Sequence, residues 1–374
     1  MVGTGEVAPI PRLVELDALR GFALGGILFV NITVMAGPSG FPDGAAAILD
    51  EAVFLDKFYV LFSFLFGYSL TLQIRAAQRA GVSARARTVR RCLGLMAIGV
   101  AHAVFFFSGD VLFGYGAIGL VLLLFSRVRP KVALRLAVGC YALFVAAFLV
   151  LSLLGPPESG AVGGDDRALN ALRAGWGAAA QWRWELFTDR LPVLLLFGLV
   201  NVLPLFLVGY AAGASRLLED PARYLRWLPR VQWIGFGVGA PISILTAVTH
   251  WTWLTAPSMI AAPLLSAAYA ATLLRIIHSW PQVASVFAPA GKIAATTYIT
   301  QSIIASIIFT GYGFALAGHL SPWTVLGTAA VIYAAQLALA SLWVRRHRYG
   351  PVEYLLRAIT YGPKHLHSPA TVEK

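Results

Sequence analysis

The chain has 374 residues, of which 58% are hydrophobic and only 12% are charged. A soluble domain carries roughly twice that charged fraction, so a soluble globular protein is excluded. The apolar residues form continuous blocks of about 20, the length that crosses a bilayer as a helix. Membrane β-strands are shorter and alternate in polarity. We therefore expect an all-α integral membrane protein.

About ten apolar blocks predict transmembrane helices. They cover residues 18–36, 54–74, 91–107, 111–126, 133–154, 190–214, 231–249, 256–275, 294–316 and 323–344. With a cytoplasmic N-terminus, 24 of the 29 lysines and arginines fall in connections on the cytoplasmic side. This positive-inside bias predicts that both termini are cytoplasmic. The net charge of +12 then mostly reflects the basic connections on the cytoplasmic side. The sequence contains no nucleic-acid-binding module.

We expect one polytopic membrane domain over residues 1–374. Its predicted parts are an N-terminal five-helix half (1–154), an outer loop (155–189), a C-terminal five-helix half (190–362) and a disordered tail (363–374). Tryptophans at 176, 182 and 184 predict an interfacial helix in the outer loop. Val352 to Tyr361 predicts an amphipathic helix on the inner surface.

The first span carries the polar groups Asp17, Arg20 and Asn31. Asp17 and Arg20 lie one turn apart and share a helix face. An ionisable residue within a span is a functional hypothesis by default. The structural alternative is an ion pair at the inner interface, with Asn31 in an interhelical hydrogen bond. Both interpretations stay open.

The third and fourth spans form a hairpin with His102 on one arm and Asp110 on the other. A histidine oriented by a carboxylate is a candidate general base, because the unperturbed imidazole titrates near neutrality. The structural alternative is a buried histidine bonded to a backbone carbonyl. The chain lacks metal-ligand spacings such as H-E-x-x-H, so we predict no metal site.

Four motifs carry a family resemblance. They are L-D-A-L-R-G-F-A-L-x-G-I-L-x-V-N in the first span, R-R-x-L-x-L-x-x-x-G-x-x-H with G-D-V-L-x-x-Y in the third and fourth, G-K-x-A-x-T-x-Y-x-x-Q-S near the ninth, and R-x-G-P-x-E-x-L-x-R-x-x-T-Y-G after the tenth. Together they resemble YeiB-like bacterial membrane proteins, whose C-terminal half is catalogued as domain of unknown function 418. The resemblance implies a multi-pass protein of the bacterial cytoplasmic membrane.

YeiB-like proteins are similar to membrane acyltransferases, including the lysosomal enzyme that acetylates heparan glucosamine with cytosolic acetyl-CoA. The first-span motif is also similar to that of the acyltransferase-3 family, which places a histidine eleven residues after the arginine. Asn31 occupies that position here and cannot act as a base. By analogy the base comes from elsewhere, and His102 with Asp110 is our candidate pair.

The leading hypothesis is therefore acyl transfer from cytoplasmic acyl-CoA, with acetyl-CoA as the expected co-substrate. The acceptor would be a hydroxyl or amine on an envelope, lipid or small molecule. The candidate substrate- and cofactor-binding residues are Asp17, Arg20, Asn31, Lys57, Arg87, Arg90, Arg91, Lys292, Gln301 and Tyr312. The arginines are offered for the phosphates of CoA, and Gln301 or Asn31 for the developing oxyanion.

Two other function classes remain open. The polar groups inside the spans, and Pro204 in the sixth span, also fit a transporter or flippase for a small hydrophobic or lipid-linked molecule. A non-catalytic partner or assembly factor is the third class. Membrane lipid is an expected partner in every case, and the sequence allows a homodimer without requiring one.

Overall fold

The computed structural model describes residues 13–37, 40–153 and 164–362. The predicted disordered tail and the first part of the outer loop lie outside this range. Within it, regular structure is helical. The helices are α1 (Val14–Ala36), α2 (Ala45–Leu49), α3 (Lys57–Arg79), α4 (Ala84–Phe105), α5 (Leu112–Leu124), α6 (Pro130–Leu153), α7 (Gly164–Arg173), α8 (Trp176–Phe197), α9 (Leu203–Ala214), α10 (Pro221–Leu225), α11 (Leu228–Ile234), α12 (Ala240–Thr249), α13 (Thr255–Ser279), α14 (Gln282–Lys292), α15 (Ala294–Phe309), α16 (Pro322–Arg346) and α17 (Pro351–Tyr361).

Three of the long helices contain a single π-helical turn. These turns span Asp50–Phe54 after α2, Gly198–Val202 between α8 and α9, and Gly235–Gly239 between α11 and α12. A π turn widens the helix by one residue and shifts the faces on either side of it. The last two join helices into continuous spans, so that α8 and α9 together form one apolar helix of 39 residues.

Among the described residues, eight helices are long and apolar enough to cross a membrane. Helices α14 and α15, bent by 75°, make a ninth span if they are counted together. The predicted all-α membrane fold is therefore confirmed. The predicted fourth span, 111–126, differs, because α5 has 13 residues and reaches only about 20 Å. The hydrocarbon core of a bilayer is about 30 Å thick.

The outer loop also differs in detail. Its helix is α7, and the tryptophans at 176, 182 and 184 lie in α8, which begins at Trp176. Gly175, at a φ of 120°, separates the two helices. The span thus starts fourteen residues before the predicted boundary at 190. The charged residues near position 190 therefore lie within α8.

Helix α1 lies at the centre of the packing and contacts α3, α14, α15 and α16. Its buried residues include Leu19, Leu24, Leu28 and Ile32. The crossing with α14 is the closest, because glycines remove the side chain from both helices. A Cβ on Gly291 of α14 would lie 1.8 Å from the backbone oxygen of Asp17. The ionic end of α1 is therefore fixed against the bend between α14 and α15.

We expect Gly291→Ala to lower the stability of the protein by about 1–3 kcal/mol, the usual cost of overpacking a close contact. Gly139→Ala is the matched control, since no atom lies within 4 Å of the Cβ position there. Alanine favours helix over glycine, so the control should unfold at the same temperature as wild type or higher. Thermal unfolding in detergent measures both, and equal melting of the two variants would contradict this packing.

Candidate functional site

A cavity of about 270 Å³ opens among the helix ends that carry most of the basic residues. We call it the basic cavity. The five cations that line it come from α1, α4, α14, the turn after α16, and α17. They are Arg20, Arg91, Lys292, Arg348 and Arg357. Both halves of the chain therefore contribute to one concentration of positive charge.

Arg20 is held in place by two neighbours. Its Nη1 donates to Asp17 Oδ1 at 2.7 Å, and its Nη2 donates to Ser69 Oγ of α3 at 2.5 Å. Asp17 is only 5% exposed, so the ion pair predicted from the sequence forms within the packed helix ends. These bonds position the guanidinium in the wall of the basic cavity, where Ser69 is also exposed to the ligand space.

The walls of the basic cavity become apolar and aromatic away from the cations. Leu24, Phe62 and Phe66 line it, and Tyr115 and Tyr298 lie among its lining residues as well. The Tyr298 ring in turn contacts the ring of His102, with centroids 5.0 Å apart. The cavity therefore connects a cationic surface to the aromatic contact of the candidate base.

His102 and Asp110 form a buried pair. His102 Nδ1 lies 2.8 Å from Asp110 Oδ1, and the two residues are 2% and 6% exposed. Local structure explains the contact. Helix α4 ends at Phe105, the chain reverses, and Asp110 Oδ2 then accepts the backbone N–H of Phe113 at 2.8 Å, near the start of α5.

This arrangement fixes the roles of the two imidazole nitrogens. When Nδ1–H donates to the Asp110 carboxylate, the lone pair is on Nε2, as a general base requires. Within the described part of the chain, Nε2 is buried and has no hydrogen-bond partner. A buried polar atom without a partner is uncommon and calls for an explanation. A base awaiting a substrate proton provides one.

A second cavity, of about 290 Å³, lies next to this pair, and we call it the apolar cavity. Asp110 lines it together with Asn31 and Tyr59, and most of the remaining lining is apolar. It shares Val111 and Tyr115, as well as Ile27, with the basic cavity. Only these shared side chains, next to Asp110, separate the two cavities.

Known proteins place the chain in a family. The uncharacterized protein YxaH of Bacillus subtilis is 32% identical to it over 94% of both chains. The family described as "Protein of unknown function (DUF418)" matches residues 212–363. The chain belongs to the DUF418 family. The uncharacterized protein YeiB of Escherichia coli is 26% identical over 93% of this chain and 96% of its own, which confirms the predicted YeiB-like resemblance.

In this DUF418 protein the structure brings five of the predicted residues to the two cavities. Arg20, Arg91 and Lys292 line the basic cavity, and Asn31 and Asp110 line the apolar cavity. His102 lines neither and reaches the basic cavity only through Tyr298. Asp17 acts through its ion pair with Arg20.

Two of the predicted phosphate ligands do not line the basic cavity. Arg87 stacks over the ring of Tyr361, 4.7 Å from its centroid, and Arg90 points outward and is exposed. Successive residues of a helix turn by about 100°, so the neighbours Arg90 and Arg91 face different surroundings. Arg87 and Arg90 thus lie outside the cavity that Arg20 and Arg91 share, and their role as phosphate ligands stays a prediction.

Three other predicted binding residues also lie away from the basic cavity. Lys57 donates to the backbone oxygen of Glu51 at 2.6 Å. Gln301 is buried and its Nε2 lies 3.4 Å from the backbone oxygen of Leu24. Tyr312 follows α15 in a turn rather than ending a span. In the described part of the chain, none of these three lines the basic or the apolar cavity.

Arg348, Arg357 and Tyr298 were not predicted as ligand-binding residues. Both arginines are part of the R-x-G-P-x-E-x-L-x-R motif that carried the family resemblance, so the motif could have identified them. Tyr298 is the tyrosine of the G-K-x-A-x-T-x-Y motif near the ninth span, so that motif could have identified it as well. Its position between the His102 ring and the basic cavity is what the structure adds.

Glu353, the acid of the same motif, fastens α17 to the start of α15. Its Oε1 accepts the backbone N–H of Ala295 at 2.7 Å and of Thr296 at 3.2 Å, and its Oε2 accepts the Thr296 hydroxyl at 2.6 Å. A carboxylate at a helix N-terminus satisfies otherwise unpaired N–H groups. This cap fixes Arg348 and Arg357 at the mouth of the basic cavity.

We expect Glu353→Ala to release α17 at a cost of about 1–2 kcal/mol, the usual value of an N-terminal cap. Hydrogen exchange of residues 351–361 should become faster than in wild type. The control is Glu185→Ala, which removes an exposed ion pair with Arg167 and a hydrogen bond from Gln181, far from α17, and should leave this exchange unchanged. Unaltered exchange in Glu353→Ala would show that the cap does not hold α17.

Proposed function

We propose that this protein is a transmembrane acyltransferase that moves an acyl group, in the simplest case acetyl, from acyl-CoA to a hydroxyl or amine. One observation carries the proposal: the basic cavity leads from five cations to Tyr298, which contacts the His102–Asp110 pair. A phosphorylated donor, a buried route and a general base are the three parts that such a reaction needs.

The donor fits the basic cavity by charge and by polarity. CoA carries phosphates at one end and an uncharged arm with the thioester at the other. Arginine forks bind phosphate oxygens with two parallel hydrogen bonds. From Arg91 to His102 is eleven residues of α4, or about 17 Å. An extended pantetheine arm spans that distance between apolar walls.

The chemistry assigns one proton transfer to His102. As the acceptor oxygen or nitrogen attacks the thioester carbonyl, Nε2 takes its proton and Asp110 stabilises the imidazolium. The C–S bond then breaks, and the imidazolium returns the proton to the departing CoA thiolate. Of the two predicted oxyanion donors, Asn31 lines a cavity beside Asp110 and Gln301 does not. We therefore assign the oxyanion contact to Asn31.

The Tyr298 side chain is the movable part of this mechanism. It is buried, and it lies between the His102 ring and the basic cavity. For Nε2 to reach an acceptor at the thioester, this ring must rotate away. The reacting end of the acceptor would lie in the apolar cavity, which Asp110 and Asn31 line.

The experiment is incubation of purified protein in proteoliposomes with [¹⁴C]acetyl-CoA and an extract of the bacterial envelope. Labelled acceptor is the expected product, and CoA alone should raise the melting temperature of the protein. The absence of both label transfer and stabilisation by CoA would overturn the proposal.

A transporter is the second candidate, and one observation favours it. The 75° bend between α14 and α15 gives a broken span, a feature of many transporter binding sites. Movement of a lipid-linked substrate across proteoliposomes without any acyl-CoA would select this function. A strict requirement for acyl-CoA would select acyl transfer.

A further inference from the structure

A third cavity, of about 400 Å³, lies at the other ends of the helices, away from the basic cavity. We call it the distal cavity. Three arginines line it: Arg167 of α7, and Arg183 and Arg190 of α8. The sequence predicts only five lysines and arginines on that face of the membrane, so three of the five converge here. The other two, Lys57 and Arg173, donate to backbone carbonyl oxygens.

Arg183 is the most unusual of the three. It is only 2% exposed, and its Nη1 donates to the backbone oxygen of Phe105 at 3.0 Å. The described residues provide it with no ion pair. A buried charge without an opposite charge is costly. A cavity lined by that guanidinium is therefore suited to an anion that completes the pair.

The charges around the distal cavity indicate how much negative charge it would take. Arg167 is already paired, with its Nη2 2.7 Å from Glu185 Oε2. Arg190 is exposed and, within the described ranges, forms no ion pair. Among the described residues, neither Arg183, which lies beside Tyr312, nor Arg190 has a carboxylate partner. A phosphate monoester carries about −1.5 to −2 at pH 7, which matches the positive charge of these two arginines.

The floor of the distal cavity lies close to the candidate base. Phe106 and Phe107 line the cavity, and both rings lie 6.4 Å, centroid to centroid, from the His102 ring. The Phe106 backbone oxygen accepts the Ser306 hydroxyl at 2.6 Å, which ties this floor to α15. A molecule anchored in the distal cavity is thus separated from His102 by a single layer of phenylalanine.

We propose that the distal cavity binds a phosphate monoester through Arg183 and Arg190. Resting on the proposed function, this monoester is the anchoring group of the acyl acceptor. The donor and acceptor would then be held by separate clusters of arginine at opposite ends of the same helices. The shared chemistry is a terminal phosphate, on either a lipid or a water-soluble molecule.

The test measures binding without any acyl donor. Protein in phosphatidylcholine nanodiscs is titrated with dioctanoyl phosphatidic acid in one arm and with glycerol 3-phosphate in the other. Glycerol and dioctanoyl phosphatidylcholine are the uncharged and zwitterionic controls. Isothermal titration calorimetry gives the dissociation constant for wild type and for two matched variants, Arg190→Gln and Arg90→Gln. Arg190 lines the distal cavity, whereas Arg90 is an exposed arginine outside the three cavities.

We expect at least one phosphate probe to bind wild type, at least tenfold weaker binding in Arg190→Gln, and unchanged binding in Arg90→Gln. Binding of the lipid probe alone identifies a lipid acceptor, and binding of glycerol 3-phosphate identifies a soluble one. Equal binding by wild type and Arg190→Gln, or loss of binding in Arg90→Gln, would overturn the proposal. Arg190 is exposed, so its replacement leaves the buried core intact. Arg183→Gln, if it folds, should bind more weakly still.

This result is independent of the proposed function. Phosphate binding that depends on Arg190, in a protein that transfers no label from acetyl-CoA, would support the distal site and contradict acyl transfer. Label transfer at the wild-type rate in Arg190→Gln, together with unaltered phosphate binding, would support acyl transfer and contradict the distal site.

Discussion

Replacing His102 with alanine should lower the rate of acyl transfer by about 10²–10⁴, the usual contribution of a general base. The variant leaves the acceptor without a group that removes its proton as it attacks the thioester. The dissociation constant of CoA should stay the same, because His102 lines neither cavity. Initial rates of label transfer, measured beside CoA binding by calorimetry, separate the two effects.

The control for His102→Ala is His319→Ala. His319 is exposed in the turn before α16, so its replacement should change neither rate nor binding. Asp110→Asn gives a second measurement, because its amide can donate to Nδ1 and so favour the wrong tautomer of His102. A comparable loss of rate is then expected. A His102→Ala variant that folds, binds CoA and transfers label at the full rate would remove His102 from the mechanism.

The membrane fold was predictable because bilayer physics is strict. A span needs a continuous apolar run, and every helix end needs a polar surface. Short and interrupted helices were harder. Helix α5 has the apolar composition of a span but only thirteen residues. No local sequence pattern shows that the connection between α4 and α5 ends at Asp110. Residues 183–190 read as a loop because four of these eight residues are charged, and no local pattern shows that they belong to α8.

The candidate site was predictable in part. His102 and Asp110 are eight residues apart with a turn between them, so a hairpin was enough to bring them together. The basic cavity required more. Arg20, Lys292 and Arg357 come from α1, α14 and α17, and their meeting depends on how α14 folds back against α1. Helix packing of this kind leaves no local sequence pattern beyond the glycines that permit it.

The sequence also could not separate the adjacent arginines at the start of α4. Arg91 lines the basic cavity, whereas Arg90 is exposed to the surroundings. Both have the same charge and the same neighbours in the chain, and they differ only in helix face. The pair is therefore a built-in comparison between an arginine in the cavity and an arginine beside it.

Arg91→Gln should weaken CoA binding about 10- to 100-fold, since a hydrogen bond to a charged group contributes about 1.5–3 kcal/mol. Arg90→Gln should weaken it by less than about twofold, because an exposed charge outside the cavity acts only through solvent and is screened by salt. Calorimetric titration of both variants with CoA measures the difference. Equal weakening would mean that the basic face attracts CoA by its overall charge, without a defined site.

The same pair of variants shows which part of the donor Arg91 contacts. Dephospho-CoA lacks the 3′-phosphate and keeps the pyrophosphate, so it should bind wild type more weakly. If Arg91 binds the 3′-phosphate, Arg91→Gln has little further effect on dephospho-CoA. If Arg91 binds the pyrophosphate, Arg91→Gln lowers the affinity for CoA and for dephospho-CoA by the same factor. Either result locates the phosphates within the basic cavity. Their position also gives the direction in which the thioester extends towards Tyr298 and His102.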